Sequence, residues 1–458
     1  MQKIAIKQFG PIKEAEIEID KVLLLIGEQA SGKSTTAKLI YFFRSLPDLL
    51  LEILFENYQK VERPNTILSL FIKGITQRFL EYFGLNVVKD GFVLEYTYTS
   101  DGARWIRLTI NEKRQVDAQL SSKFRTEMIN NQFKRLLADV KNYFPSTKIE
   151  DEIYRKKIRR DLDEFINNLF GYRQNFVFYP AGKSFAINYS DSFKFALFGG
   201  VISELQKPDL HRSKGRTENS QSLDLNLLYD FLRHSERIKD AFRNHDLMSL
   251  VKSSVDLTEQ SRLDKLHHVK QKIVAILKGD YYQDASGEKI YLSDNEYVYL
   301  SDASSGQQEA IRLVQDLFLI LLNQENAFRI IEEPEAHLWP MAQKHLFELM
   351  AIMVNETDSQ LVITTHSPYT LSVFNNLLYA THVAAADPES RNEIAEVIRE
   401  SYWLNPTTFN AYMLKDGYCQ SIVNRELGLI GQNFLDQISE KLGDEFDQMY
   451  GLHAKVYA

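Results

Sequence analysis

A glycine-rich loop between an apolar run and a helical pattern constrains this chain more than any other feature. Residues 22–26 predict a buried strand, and residues 35–41 predict a helix. The loop between them fits the pattern G-x-x-x-x-G-K-[ST] and consists of Gly27, Glu28, Gln29, Ala30, Ser31, Gly32, Lys33 and Ser34. Its glycines let backbone N–H groups surround an anion, towards which the following helix points its N-terminus. The sequence therefore predicts a phosphate-binding loop.

Polar side chains of this loop have defined partners in a nucleoside triphosphate. The Lys33 ammonium can reach the β- and γ-phosphates, and the Ser34 hydroxyl can bind Mg²⁺. Thr35 extends the same contact region into the helix. The alternative is an ordinary glycine-containing turn, which requires neither a strand before it nor a helix after it. The context of strand, loop and helix favours a nucleotide site with bound Mg²⁺.

The composition of the 458 residues is typical of a soluble globular chain with two or three domains, since 44% are hydrophobic and 25% are charged. The net charge of −8 argues against a protein covered by nucleic acid but permits a local basic groove. A single cysteine, Cys419, excludes an intramolecular disulfide and suits a reducing compartment. Neither a membrane-spanning run nor a signal-peptide core is present in the sequence. We therefore expect a cytoplasmic protein with no membrane partner.

Two carboxylates follow a second short apolar run, residues 328–331. In a phosphate site one such carboxylate holds Mg²⁺ and another polarises the attacking water. We assign Glu332 to the metal and Glu333 to the water. The alternative is a solvated acidic loop, and Arg329 weakens the prediction of a strand because it interrupts the apolar run.

Two further segments carry polar residues that suit a phosphate site. Small residues at a helix N-terminus form a second anion-binding surface, and an amphipathic helix is preceded here by Ser304, Ser305, Gly306 and Gln307. An ordinary N-cap by one of the two serines is the alternative. His366 follows the apolar run 360–365, where an imidazole can contact the γ-phosphate or the attacking water. A purely structural histidine is the alternative there.

The order of these segments resembles the ATP-binding-cassette ATPases. Residues 304–307 stand where that class carries its signature motif, and the carboxylate strand and the histidine follow. The resemblance implies an α/β fold: an ATPase head with a mixed sheet and flanking helices, large helical insertions and a small C-terminal appendage. Three segments look like the OLD/AAA-type branch, which shares its head with SMC and RecF proteins, namely residues 9–12, 178–184 and 332–338.

The resemblance to this class implies a homodimer of heads that holds two ATP molecules, with Mg²⁺, between its two copies. Each nucleotide would lie between residues 27–35 of one copy and Ser304, Ser305 and Gly306 of the other. Residues 334–337 would form the inter-subunit loop, and His366 would be the switch histidine.

This chain departs from the class in two places. Glu332 replaces the more usual aspartate of the transporter-like members. The glutamine that coordinates the metal in the class has no obvious equivalent, and the nearest candidates are Gln174, Lys183 and Ser184.

The stretches between the motifs predict a discontinuous head with two insertions. The head comprises residues 1–45, 175–205 and 281–372. One helical insertion occupies residues 46–174, with a β-hairpin at 92–110. The other occupies residues 206–280 and includes a polar linker at 207–222. The C-terminal appendage, a candidate for partner docking, spans 373–458 and contains a hairpin centred on 415–417 and an amphipathic helix at 434–449.

Function is narrowed by what the sequence lacks. A transporter role fails without a membrane span, and no D-x-D pair, which the Toprim nuclease of OLD proteins needs, follows His366. The tail resembles free-standing ATPases of bacterial anti-phage systems such as Septu, where a separate nuclease or toxin is the effector. Our hypothesis is the ATPase sensor or regulator of such a pair.

Two alternatives stay open. One is a repair ATPase of the RecF or SMC kind that holds DNA through the basic runs 155–160 and 211–216; for the first run, a solvated helix face is the competing interpretation. The other is a nucleotide-gated scaffold with little turnover.

Overall fold

The computed structural model describes residues 1–57, 64–84, 88–143, 152–172, 175–184, 220–256, 258–431, 441, 443–450 and 452–453. The strands in these ranges are β1 Gln2–Phe9, β2 Ile12–Ile19, β3 Val22–Gly27, β4 Val88–Thr97, β5 Trp105–Ile110, β6 Val116–Leu120, β7 Asn175–Tyr179, β8 Asp280–Asp284, β9 Gly287–Ser293, β10 Glu296–Tyr299, β11 Ala327–Glu332, β12 Gln360–Thr365, β13 Phe409–Lys415, β14 Tyr418–Ser421, β15 Val423–Asn424 and β16 Leu429–Ile430.

The α-helices between them are α1 Lys33–Arg44, α2 Leu46–Glu56, α3 Pro64–Phe83, α4 Ser122–Met128, α5 Asn131–Tyr143, α6 Glu152–Phe170, α7 Ser220–Ala241, α8 Leu247–Ser254, α9 Gln260–Leu277, α10 Ser305–Asn323, α11 Pro340–Glu356, α12 Pro368–Ala386 and α13 Arg391–Val397. Short 3₁₀ turns occupy Leu300–Asp302, Pro388–Ser390 and Glu400–Tyr402. None of these helices has the length and apolar content of a membrane span.

An eleven-stranded mixed sheet organises the molecule, in the order β6-β5-β4-β1-β2-β14-β13-β3-β12-β11-β7. The five strands from β13 to β7 run parallel to one another, whereas β1, β2, β4, β5 and β6 pair antiparallel. A smaller antiparallel sheet joins β8, β9 and β10. The predicted α/β fold, a mixed sheet with flanking helices, is confirmed.

Two hydrophobic cores cover the two faces of the parallel strands, which explains the unbroken apolar run of β3. Leu23 and Leu25 point into a core shared with α1 to α6, and Leu24 and Ile26 point into the core that contains α8 to α12. Successive side chains of a strand face opposite sides of the sheet, so a strand covered on both sides has no polar positions to offer.

Three segments that the sequence assigns to insertions or to the appendage contribute to the main sheet or to its cores. The hairpin predicted at 92–110 is present as β4 and β5, but it extends the main sheet through β1. The hairpin centred on 415–417 is also present, yet β13 lies inside the sheet beside β3, not in an appendage. Helices α7 to α9 bury apolar residues in the same core as β3. Hairpin formation is local, whereas the sheet edge that a hairpin joins depends on partners far away in the sequence.

Two predicted segments fall largely outside the described residues. Of the polar linker, residues 207–219 are not described, nor are 434–440 and 442 of the predicted C-terminal helix. Residues 443–450 are helical and expose Phe446, Met449 and Tyr450.

Candidate nucleotide site

The sheet register brings the predicted functional segments to one edge. Leu25 of β3, Thr364 of β12 and Glu332 of β11 lie in one row across three adjacent parallel strands. The glycine-rich loop, His366 and Glu333 each follow their strand within two residues of this row. Because adjacent strands lie about 4.8 Å apart, the three segments emerge side by side at the carboxyl end of the sheet.

Steric contacts explain both glycines of the loop. A Cβ at Gly27 would lie 2.3 Å from the carbonyl oxygen of Leu414, and one at Gly32 would lie 2.8 Å from Ile12 Cγ1. The backbone is left-handed at Ala30 and Gly32, with φ of 62° and 106°. The loop is therefore held between the β1–β2 turn and the end of β13.

Lys33 is buried at the start of α1 and binds the loop itself. Its Nζ donates hydrogen bonds to the carbonyl oxygens of Gly27 at 2.7 Å and Glu28 at 2.8 Å. Burial lowers the pKa of Lys33, and the nearby carboxylates, Glu333 foremost, oppose that shift. A cation is thus fixed between the loop and the carboxylates at the end of β11.

The rest of the loop offers polar groups for an anion. Glu28, Gln29, Ala30 and Ser34 are exposed, and Thr35 is half-buried. The Ser31 hydroxyl is buried without a hydrogen-bond partner in the described structure. Buried polar groups normally have a partner, so this hydroxyl fits a bound phosphate oxygen.

Glu332 ends β11 with one carboxylate oxygen in use. Its Oε2 accepts a hydrogen bond from the Ala181 N–H at 3.2 Å, while Oε1 is buried without a partner. Within the described ranges no cluster of three or more histidine, cysteine or acidic residues could hold a metal by itself. One carboxylate oxygen together with the Ser34 hydroxyl fits Mg²⁺, which takes few protein ligands and fills its octahedron with phosphate oxygens and water.

Glu333 and His366 form a pair at the mouth of the site. Glu333 Oε1 lies 3.2 Å from His366 Nδ1, and both side chains reach solvent. The Glu333 backbone is left-handed, with φ of 44°, and its N–H donates to the Thr364 carbonyl at 2.9 Å. The pair places a carboxylate where it can accept a proton from water and an imidazole where it can hold that carboxylate.

Sequence reasoning missed two buried groups behind these carboxylates. Glu335 accepts a hydrogen bond from the Thr365 hydroxyl, and burial raises the pKa of Glu335. Lys183 was considered only as a substitute for the missing glutamine, yet its Nζ donates to the carbonyl oxygens of Glu332 at 3.0 Å and Glu333 at 3.2 Å. The sequence does place Lys183 soon after the apolar run of β7, and β7 lies beside β11, the strand that ends in Glu332. That position could have indicated a role for Lys183 near the carboxylates.

Ser304 caps α10, as the structural alternative anticipated. Its hydroxyl accepts from the Gln307 N–H at 3.4 Å, and Gln307 Oε1 accepts from the Ser304 N–H at 3.0 Å. The Gln307 amide also donates to the Leu277 carbonyl at 2.7 Å, so this side chain shapes the cap. Ser304 and Ser305 are exposed, whereas Gly306 is buried: a Cβ there would lie 2.6 Å from the His337 carbonyl oxygen.

The two candidate anion-binding segments are not bonded to each other within one copy of the chain. Across the described structure, no hydrogen bond or ion pair joins residues 304–307 to residues 27–35. Ser304 and Ser305 are exposed to solvent, and the Ser304 hydroxyl also donates to Gln307 Oε1 at 3.0 Å.

Arg329 does not weaken β11, contrary to the expectation from sequence. It is fully buried, and its guanidinium donates to both carboxylate oxygens of Asp316, at 2.6 and 3.0 Å. Burial alone would raise the pKa of Asp316, but the charges and hydrogen bonds of Arg329 and His234 together outweigh burial and lower it. The charge inside the strand is therefore compensated, and every position of β11 is buried.

The basic run 155–160 lies on α6, where Lys156 pairs with Glu152 and Arg160 with Asp161. These contacts agree with a solvated helix face. The second run, 211–216, lies outside the described residues, as does Gln174.

The model of the family AAA_15, described as an AAA ATPase domain, matches residues 1–371. No curated protein sequence matches the chain significantly.

Similar solved structures include SMC head domains and a recombination mediator protein. An Smc head domain from Pyrococcus furiosus, bound to the C-terminal domain of ScpA, shares 10% identity, with 96% of this chain and 100% of that chain covered and a TM-score of 0.38. The SMC head domain from Thermotoga maritima shares 10% identity, with 92% and 98% covered and a TM-score of 0.35. The recombination mediator RecF shares 12% identity, with 92% and 97% covered and a TM-score of 0.33.

Proposed function

Because the chain belongs to the AAA ATPase domain family, we propose that it binds ATP on residues 27–35 and hydrolyses it. One observation carries the proposal: the row Leu25–Thr364–Glu332 delivers a phosphate-binding loop, a carboxylate pair and a histidine to the same sheet edge. A nucleotide held by the loop has its terminal phosphate directed at those side chains.

Each side chain has a role that its contacts support. Backbone N–H groups of the loop and the Lys33 ammonium bind the β- and γ-phosphates. Glu333 accepts a proton from the attacking water, and His366, 3.2 Å away, holds Glu333 in place and faces the γ-phosphate. Such positioning and charge stabilisation account for most of the catalysis in phosphoryl transfer.

The residues for Mg²⁺ would be Ser34 and Glu332. The unpartnered Oε1 of Glu332 and the exposed Ser34 hydroxyl are hard oxygen ligands of the kind this ion takes. When bound, Mg²⁺ neutralises charge on the β- and γ-phosphates.

A second copy of the chain completes the site in this proposal. Ser304, Ser305 and Gly306 of one copy would face the nucleotide on residues 27–35 of the other, so that ATP lies between two heads. The exposed hydroxyls at the N-terminus of α10 and their separation from the loop in the same copy support this arrangement. Residues 334–337, which touch Gly306 through the His337 carbonyl, would lie at the same interface.

The biological role we propose is that of an ATPase sensor or regulator in a bacterial anti-phage complex with a separate nuclease or toxin effector. The OLD/AAA-type segments at residues 9–12, 178–184 and 332–338 support it. Four exposed apolar side chains near residue 450 support a protein partner there, namely Phe446, Met449, Tyr450 and Leu452.

ATP binding and turnover by the purified chain test this proposal, with and without Mg²⁺. Lys33→Ala removes the phosphate contact, so we expect ATP binding and hydrolysis both to be lost. Glu333→Gln leaves binding intact and lowers turnover by about 10²- to 10⁴-fold. A wild-type chain that binds no ATP contradicts the proposal.

The same two variants separate the alternatives. If only Lys33→Ala abolishes the biological effect, the chain is a nucleotide-gated scaffold; if both do, turnover is required. Copurification with a neighbour-encoded effector supports the defence role, whereas ATP-dependent, salt-sensitive DNA binding supports the repair role.

A further inference from the structure

The buried ammonium of Lys183 contacts both the end of β11 and helix α10. Lys183 is 1% exposed, and its Nζ donates to the carbonyl oxygens of Glu332 and Glu333. The same Nζ lies 3.7 Å from Glu309 Oε2, on the helix that begins with the Ser304 cap. One side chain thus touches the catalytic strand end and α10.

The cost of this arrangement indicates that it is retained for a purpose other than stability. Taking an ammonium and a carboxylate out of water costs free energy that a buried ion pair often fails to recover, and an apolar pair of similar volume is commonly no less stable. The pair is also incompletely formed, since Glu309 Oε2 is buried and makes no hydrogen bond. The contact can therefore shorten without breaking another.

The Lys183–Glu309 ion pair, called the bridge below, connects two segments whose backbones are held by hydrogen bonds. Glu309 is in the second turn of α10, whose start is fixed by the reciprocal Ser304–Gln307 cap. Glu333 is held in its left-handed conformation by the Lys183 bond to its carbonyl and by its own N–H bond to Thr364. A shift of the start of α10 relative to the end of β11 changes the Lys183 contacts, while the Arg329–Asp316 pair holds the same helix to β11 farther along.

We propose that Lys183 is a positioning residue that couples α10 to the Glu333 backbone of the same copy. When the other copy's nucleotide contacts Ser304 and Ser305, α10 moves as a unit, Glu309 draws on Lys183, and the Glu333 carboxylate is set for the water in its own site. The two ATP sites of the dimer then hydrolyse ATP together and not independently. This inference rests on the proposed function, because it requires Glu333 as the base and a second copy at α10.

The test uses the full chain and three changes to the bridge. Lys183→Met and Glu309→Gln each remove one end, and Lys183→Arg keeps the charge. We expect the first two to lower kcat by about 10- to 100-fold, as is typical when a supporting contact of a catalytic group is lost, while the Kd for ATP changes little. Lys183→Arg should recover part of the rate, and the double variant should be no worse than Lys183→Met alone.

A partly exposed lysine in another ion pair provides the control. Lys272 forms an ion pair with Glu348 between α9 and α11, away from the nucleotide loop. Lys272→Met should lower Tm but leave kcat per folded molecule unchanged. The inference is overturned if Lys183→Met and Glu309→Gln also change only Tm, or if their effects on kcat multiply. A wild-type chain without turnover would overturn the proposed function, whereas an active wild type with fully active bridge variants overturns only the coupling.

Discussion

The two anion-binding segments of this protein are built in opposite ways. The shape of the loop at residues 27–35 depends on residues far away in the sequence. Ile12 packs closely against Gly32, and the Leu414 carbonyl packs closely against Gly27. The cap at Ser304 is mainly local, because it is closed by hydrogen bonds between residues three apart, and the Gln307 amide adds one distant bond, to the Leu277 carbonyl.

The difference shows which half tolerates change. A loop that takes its shape from the surrounding fold fails when any support is altered, whereas a helix cap loses only the contribution of its own hydrogen bonds. We therefore expect changes at the loop to abolish function and changes at the cap to weaken it.

The largest effect is expected from Gly27→Ala. The added Cβ would lie 2.3 Å from a backbone oxygen that cannot move without displacing β13. Misplacing the loop by about 1 Å is enough to cost on the order of 100-fold, and isothermal titration with ATP measures the loss. Gly443→Ala, where no atom lies within 4 Å, is the control; equal affinity in both variants would show that the loop does not need β13.

Gly306→Ala should come next, because its Cβ would meet the His337 carbonyl at 2.6 Å and push the cap away from residues 334–337. We expect turnover to fall by about 10- to 100-fold with ATP affinity nearly unchanged. Mixing this variant with Lys33→Ala sharpens the comparison: a mixed dimer has one site with an intact loop and an intact cap, so ATP-dependent association of the two variants should return, although coupled turnover should not. No association on mixing would place both halves in a single copy.

Trp339→Ala tests the surface beside the cap. Trp339 is 78% exposed just after the segment that touches Gly306, and buried tryptophans are frequent energetic centres of interfaces. Its loss should weaken the ATP-bound dimer by roughly 2 kcal/mol, or about 30-fold in the Kd of dimerisation. Analytical sedimentation of Glu333→Gln chains with ATP measures this Kd. Tyr379→Ala, another exposed aromatic, is the control. If both variants weaken the dimer equally, Trp339 is not a specific part of the interface.

The smallest effect is expected from Ser304→Ala. Losing the capping hydroxyl should cost α10 about 1 kcal/mol, seen as a modest fall in Tm, and should lower turnover only in proportion to the loss of one hydroxyl contact. Ser372→Ala, an exposed serine inside α12, should leave both quantities unchanged. A collapse of activity in Ser304→Ala would mean that the cap is as sensitive as the loop.

Local patterns predicted the parts of the site that follow strand ends. The loop, Glu332, Glu333 and His366 each come directly after a short apolar run, so their place in the sequence implies their place at the sheet edge. The Ser304 cap was likewise visible, since its partner is three residues away.

The remaining parts depend on contacts that no local pattern records. Lys183 matters because α10 and β11 converge on it, and the Arg329 charge is tolerated because Asp316 lies opposite. The place of β13 beside β3 follows from pairing across almost the whole chain. Such contacts are decided by packing, and sequence spacing does not specify them.

The position of β13 also affects when the glycine-rich loop gains its support during synthesis. The loop at residues 27–35 is translated well before Leu414, whose carbonyl oxygen closes against Gly27. At roughly 5–20 residues per second, translation of the stretch between them takes tens of seconds. During that time the loop lacks one of the contacts that hold its shape in the folded protein.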